Sequence, residues 1–154
     1  MGIGMHIVEA LVREHLYRPI AGDVVMIGRQ TVYFTPSRIR AFLSSHGIVL
    51  SEAAAAAIEL DQSTVDRLAN SRGRQLITDS ALFRLLGVEN IQALDRSDYE
   101  GANVIHDLNL PVTDRLKGIA DLIVDGSTLD NTFNPALTLK NYCDMLRPGG
   151  RLLT

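Results

Sequence analysis

The sequence predicts an α/β fold, a doubly wound, mostly parallel sheet with flanking helices. Short apolar runs of strand length, at residues 23–28, 91–95, 103–107 and 120–125, alternate with segments of helical periodicity. Polar turns and capping residues separate them, which is the pattern of βαβ units and a parallel sheet. Three of the runs close on an acid (Asp95, Asp107 and Asp125), at the strand ends where open parallel sheets bind their ligands.

Each element has a local reason. Over residues 7–16, Ile7, Val8, Leu11, Val12 and His15 fall on one helical face. Residues 23–28 form an apolar run after Gly22 and read as a buried strand. Thr35 then caps a helix with Pro36 at its first position, where a missing N–H costs nothing; Ile39, Phe42 and Leu43 line its face, and Gly47 ends it. The Ala-rich stretch 51–70 reads as one or two modest helices. Asp79 is the expected cap of a helix running through Phe83 and Leu86 and closed by Gly87. Asn134 and Pro135 start a helix that reaches Leu146, and the turn at residues 147–150, Arg-Pro-Gly-Gly, leads to a last strand at 151–153. One domain spans 1–154, with an N-terminal helix within 1–20 and a helical insertion at 48–75.

Composition narrows the function classes. The chain has 154 residues, 46% of them hydrophobic and 21% charged, which excludes a disordered tail and supports a self-sufficient core. The net charge is −3 and the 15 Lys and Arg are scattered, so a phosphate-backbone footprint is missing and nucleic acid is not expected as a partner. The single cysteine, Cys143, fits a reducing compartment and reads as a buried small hydrophobe. No membrane-length apolar run and no secretory leader is seen, and His6 spoils a myristoylation motif at Gly2, so the expectation is a cytoplasmic protein. The four histidines and Cys143 show no metal-ligand spacing. G-x-S-x-G and the phosphate-binding G-x-x-x-x-G-K-[ST] are absent as well.

The strand-end acids carry the chemistry. Asp95 is placed to accept the ribose hydroxyls of a nucleoside-containing cofactor, or to cap a helix through Arg96-Ser97-Asp98. Asp107 with Leu108 can frame an adenine, the carboxylate on the amine and the leucine on the ring; an Asx-turn with Asn109 is the competing reading. His106 reads as an ordinary strand residue or as a base. Asp125 and Gly126 end the most apolar strand, with Asp130, Asn131 and Asn134 bunched just beyond.

The segments Leu94-Asp-Arg-Ser-Asp-Tyr-Glu-Gly-Ala102, Ile105-His-Asp-Leu-Asn109, Asp125-Gly-Ser-Thr-Leu-Asp-Asn-Thr-Phe-Asn134 and Leu146-Arg-Pro-Gly-Gly-Arg-Leu152 occur in the order found in class I methyltransferases dependent on S-adenosylmethionine. Over residues 22–154 the chain resembles that Rossmann-like family, in particular a bacterial branch of uncharacterised methyltransferase-domain proteins. The resemblance implies cofactor contacts at Gly28, Arg29, Gln30, Asp95, Arg96, Asp107, Leu108, Asp125 and Gly126, with Asp125, Asp130 and His106 as candidate catalytic groups and no metal. It implies S-adenosylmethionine as cofactor and a small-molecule or sugar-like acceptor as partner.

Two departures accompany it. The family's acid-x-Gly-x-Gly-x-Gly is represented by Gly28 alone, followed by Arg29 and Gln30, and the long interval to Asp95 implies a helical insertion. The family sheet has seven strands and this chain stops inside the fifth, so a truncated domain is expected. A non-catalytic interaction module with a degenerate cofactor loop is the alternative; a nicotinamide enzyme is disfavoured because G-x-G-x-x-G is missing. The acceptor and the oligomeric state are not legible.

Overall fold

The computed structural model describes residues 2–60 and 75–154, which form two compact units. The described residues of the first are 2–20, 30–60 and 75–87, those of the second 21–29 and 88–154. The expected insertion at 48–75 and the helical stretch 51–70 lie partly outside the described residues.

In the first unit, β1 (Gly2–Ile3) pairs in parallel with β3 (Thr31–Val32), and α1 (Met5–Tyr17) buries Val8, Leu11 and Val12. His15, on the same helix, accepts the Ile20 N–H through Nδ1 at 3.2 Å, which secures the chain just past the helix end. Helix α2 (Pro36–Ser45) begins as its sequence dictates. Thr35 Oγ1 accepts the Arg38 N–H at 3.4 Å, Pro36 follows, and Ile39 and Leu43 are buried. Gly47, at φ +77°, adopts the left-handed conformation that ends such helices. Helix α3 (Glu52–Ala56) is capped by Ser51.

Helix α4 (Asp79–Leu85) corrects the expected cap. Thr78 fills that position and accepts the Ala81 N–H at 2.9 Å. Asp79 is the first helical residue, and its buried carboxylate instead accepts the Gln30 N–H at 3.0 Å and the Ser80 N–H at 2.7 Å. Thr and Asp both serve as caps, and a Thr-Asp pair leaves the register one residue ambiguous.

The second unit is a five-stranded, wholly parallel sheet in the order β5-β4-β2-β6-β7. Its strands are β2 (Asp23–Ile27), β4 (Asn90–Asp95), β5 (Val104–Ile105), β6 (Ala120–Asp125) and β7 (Leu146–Leu153). Central β2 is buried on both faces, as a parallel sheet requires. On one face Val25, Ile27, Leu94 and Ile123 meet Tyr142 and Met145 of α5 (Pro135–Met145), with Leu108, Val112 and Leu116 closing the cluster.

Two strands differ from expectation. The run 103–107 is a strand only at Val104–Ile105, although Asn103 and His106 extend its pairing to β4 on either side. Asn103 Oδ1 also accepts the Ala93 N–H at 2.8 Å, so a side chain replaces part of the ladder. At the other edge the Arg-Pro-Gly-Gly turn lies inside β7. Leu146 already pairs with Ala120, and residues 147–150 bulge before Arg151 pairs with Leu122. Cys143 is exposed, not buried, because α5 turns Asn141, Tyr142 and Met145 inward.

That bulge carries Arg147 to the amino ends of the central strands. Its Nη2 meets Asp23 Oδ2 at 2.7 Å and its Nη1 meets Asp121 Oδ2 at 2.6 Å, while Asp121 also accepts the Asp23 N–H at 2.8 Å. Gly22 stands against this clamp at φ +81°, and a Cβ there would sit 2.1 Å from Asp121 Oδ2. Gly22→Ala combines a left-handed backbone with that clash, and should lower unfolding free energy by about 2 kcal/mol in urea titrations.

Candidate functional site

The carboxyl edge of the second unit's sheet collects the residues singled out by sequence. Ile27 pairs with both Leu94 and Asp125, and Asp95 pairs with Ile105, so the ends of β2, β4, β5 and β6 align. Strand order reverses between β2 and β6, the place where open parallel sheets form their binding crevice.

Gly28 follows β2 at φ +72°, and its N–H donates to Leu94 O at 2.7 Å. A left-handed residue here turns the chain off the strand at once, which a side chain would hinder. Arg29 reaches sideways, Nε and Nη2 donating to Gly101 O at 3.3 and 3.2 Å. Gln30 already belongs to the first unit, where it is buried and its N–H is held by Asp79.

Asp95 is half-buried at the tip of β4, one carboxylate oxygen accepting the Arg96 N–H at 2.6 Å. No helix follows it in the structure; the chain bends through residues 96–102 to β5. Asp107 forms the Asx-turn that its neighbours allowed. Its Oδ1 accepts both the N–H and the side-chain Nδ2 of Asn109, each at 2.9 Å, and Arg96 Nε lies 3.9 Å from Oδ2. These bonds, and more weakly the Arg96 charge, hold the Asp107 carboxyl below its ordinary value. Leu108 is buried in the core beneath. His106 Nε2 donates to Leu110 O at 3.1 Å, a carbonyl being able only to accept.

Asp125 has a different character from the other two acids. It is 4% exposed, and four donors converge on its carboxylate. Oδ1 accepts the Ser127 and Thr128 N–H groups at 3.0 and 2.6 Å, and Oδ2 accepts the Leu129 N–H and the Tyr142 hydroxyl, both at 2.9 Å. Gly126 is buried beside it, and Ser127 takes a φ of +101°, a conformation costly for a residue with a side chain and maintained here by the carboxylate. Burial, followed by the charge of Asp125, pushes the Tyr142 phenol up and keeps it a donor. Asp130 is exposed in the 3₁₀ turn Leu129–Asn131, and Asn134 caps α5 through the Leu137 N–H at 3.0 Å.

Two residues that hold this edge were not singled out by sequence: Tyr142 and Asn141. Asn141 is buried and clamps the loop after β5. Its Nδ2 donates to Leu108 O and Leu110 O at 3.0 and 2.9 Å, and its Oδ1 accepts the Val112 N–H at 3.1 Å. The signal was the spacing of Thr138, Asn141, Tyr142 and Met145, one helical stripe on which polar groups share the inward face. Among the described residues no group of three or more His, Cys, Asp or Glu is arranged to hold a metal ion. None of the described helices is long and apolar enough to cross a membrane.

No protein-family model, curated protein or solved structure matches the chain.

Tyr142→Phe removes one hydrogen bond to a buried carboxylate and should cost about 2 kcal/mol of stability by chemical denaturation. Asn109→Ala should raise the Asp107 titration midpoint toward the ordinary 3.8, read by carboxyl NMR. Because the native midpoint is depressed, Asp107 stabilises the fold above its unfolded midpoint, and that contribution fades as pH falls through the folded one.

Proposed function

We propose that the second unit binds S-adenosylmethionine along the carboxyl edge of its sheet, and that the protein transfers the methyl group to a small-molecule or sugar-like acceptor. One observation carries the reading: a wholly parallel β5-β4-β2-β6-β7 sheet whose switch point is bordered by Gly28 and Gly126, with acids ending the two strands that pair with β2 and a third acid just beyond β5. Such a sheet is Rossmann-like, and its edge offers the hydrogen-bond acceptors that a nucleoside's ribose hydroxyls and exocyclic amine need.

The groups present fit that cofactor. Asp95 is half-exposed, its carboxylate bonded to the Arg96 N–H alone among the described residues, and suits a ribose diol. Asp107, held ionised by Asn109, suits an exocyclic amine. The left-handed Gly28 turn lets the main chain lie close to the methionine portion, with Arg29 and Arg96 as neighbouring cations and Leu108 beneath the loop. When bound, S-adenosylmethionine supplies an electrophilic methyl on a sulfonium.

The protein's part is alignment and exclusion of water, because in-line displacement from a sulfonium needs little else. The loop Gly126–Leu129, locked by Asp125, forms a rigid wall beside the switch point. Four bonded donors disqualify Asp125 as a general base. Where the acceptor must lose a proton, the candidate bases on this edge are half-buried His106 and exposed Asp130.

Calorimetric titration with S-adenosylhomocysteine tests the reading. Wild-type protein should bind it at micromolar concentration while ignoring NAD, and Asp95→Ala should weaken binding at least about tenfold by removing a charge-assisted hydrogen-bond acceptor. A folded wild-type sample that binds none would sink the reading in favour of a non-catalytic interaction module.

A further inference from the structure

Phe133 is 95% exposed, the most exposed large apolar side chain among the described residues. A lone exposed phenylalanine is unremarkable in itself; its attachment is not. The Phe133 N–H donates to Asn109 Oδ1 at 2.9 Å, and the same Asn109 holds the Asp107 carboxylate with its N–H and its Nδ2, both at 2.9 Å. One asparagine thus ties the loop after β6 to the loop after β5, and fixes an aromatic residue's backbone next to an acid kept ionised. On its other side Phe133 runs straight into the Asn134 cap and Pro135 of α5, so its main chain is anchored at both ends.

A purine is recognised by polar contacts at its edge and by stacking on its face. Asp107 offers the first, and Phe133 is the one aromatic residue among the described residues bonded to the same anchor. We infer that Phe133 is the stacking platform for the base of the bound nucleoside, placed there by Asn109; the inference rests on the nucleoside-binding reading above.

The chain contains no Trp, so Phe133→Trp creates a single fluorescent reporter at this point. Two variants are titrated with S-adenosylhomocysteine beside the wild type, with circular dichroism confirming the fold of each. Phe133→Ala should bind at least about tenfold more weakly, in line with the loss of one base–aromatic stack. The Phe133→Trp emission should be quenched saturably, with the midpoint that calorimetry gives for the same variant. Wild-type affinity in Phe133→Ala, or tryptophan emission unchanged through a calorimetrically complete titration, would overturn the platform while leaving nucleoside binding intact. No binding by the wild type would overturn both.

Discussion

A buried carboxylate governs the carboxyl edge of the sheet. Taking Asp125 out of water is costly unless its lone pairs are met, and three successive main-chain N–H groups and one phenol meet them. Those bonds wrap the chain around the end of β6, hold Ser127 in a conformation it would otherwise avoid, and draw α5 down through Tyr142. The core cluster and the crevice wall share this joint. Tyr142 belongs to the apolar cluster that includes Val25 and Ile123 and donates its hydroxyl to Asp125, so packing below and loop shape above are not independent.

The opposite edge is organised by a second cluster of charge. Arg147 bridges Asp23 and Asp121 at the amino ends of β2 and β6, and it can do so only because residues 147–150 bulge out of β7. Both ends of the central strands are therefore pinned by side chains while the middle is held by apolar contact. A sheet so fixed presents its loops in one arrangement, which suits a site that works by positioning.

Much of this was legible in the sequence because it depends on local chemistry. Apolar runs bounded by turns marked β2, β4 and β6, and Thr35-Pro36 and Asn134-Pro135 marked the helix starts within a residue. Strand-end acids were visible as such, but their environments were not. Asp95 and Asp125 look alike in the sequence, yet one is half-open at a strand tip and the other is enclosed by four donors, a difference made by Tyr142 from seventeen positions downstream. Cys143 was misjudged for a similar reason. An apolar helix has an outward side, and only the packed partner decides which residues occupy it. The bulge in β7 escaped notice because a Pro-Gly-Gly turn before a strand and one inside it read identically until the neighbour's register is known.

The division of the chain into units has a consequence for how the molecule is made. Strand β2 lies at residues 23–27, but its partner β4 is not reached until residue 90, after the body of the first unit has been laid down. At a ribosomal pace of about 5–20 residues per second, the nascent chain carries a bare Val-Val-Met-Ile segment for several seconds before any neighbour exists to cover it. The other flank of β2 waits longer still, until β6 emerges. A most apolar strand translated early and paired late is the segment a holding chaperone would meet first, and the vulnerability of this protein lies in its assembly order more than in the finished sheet.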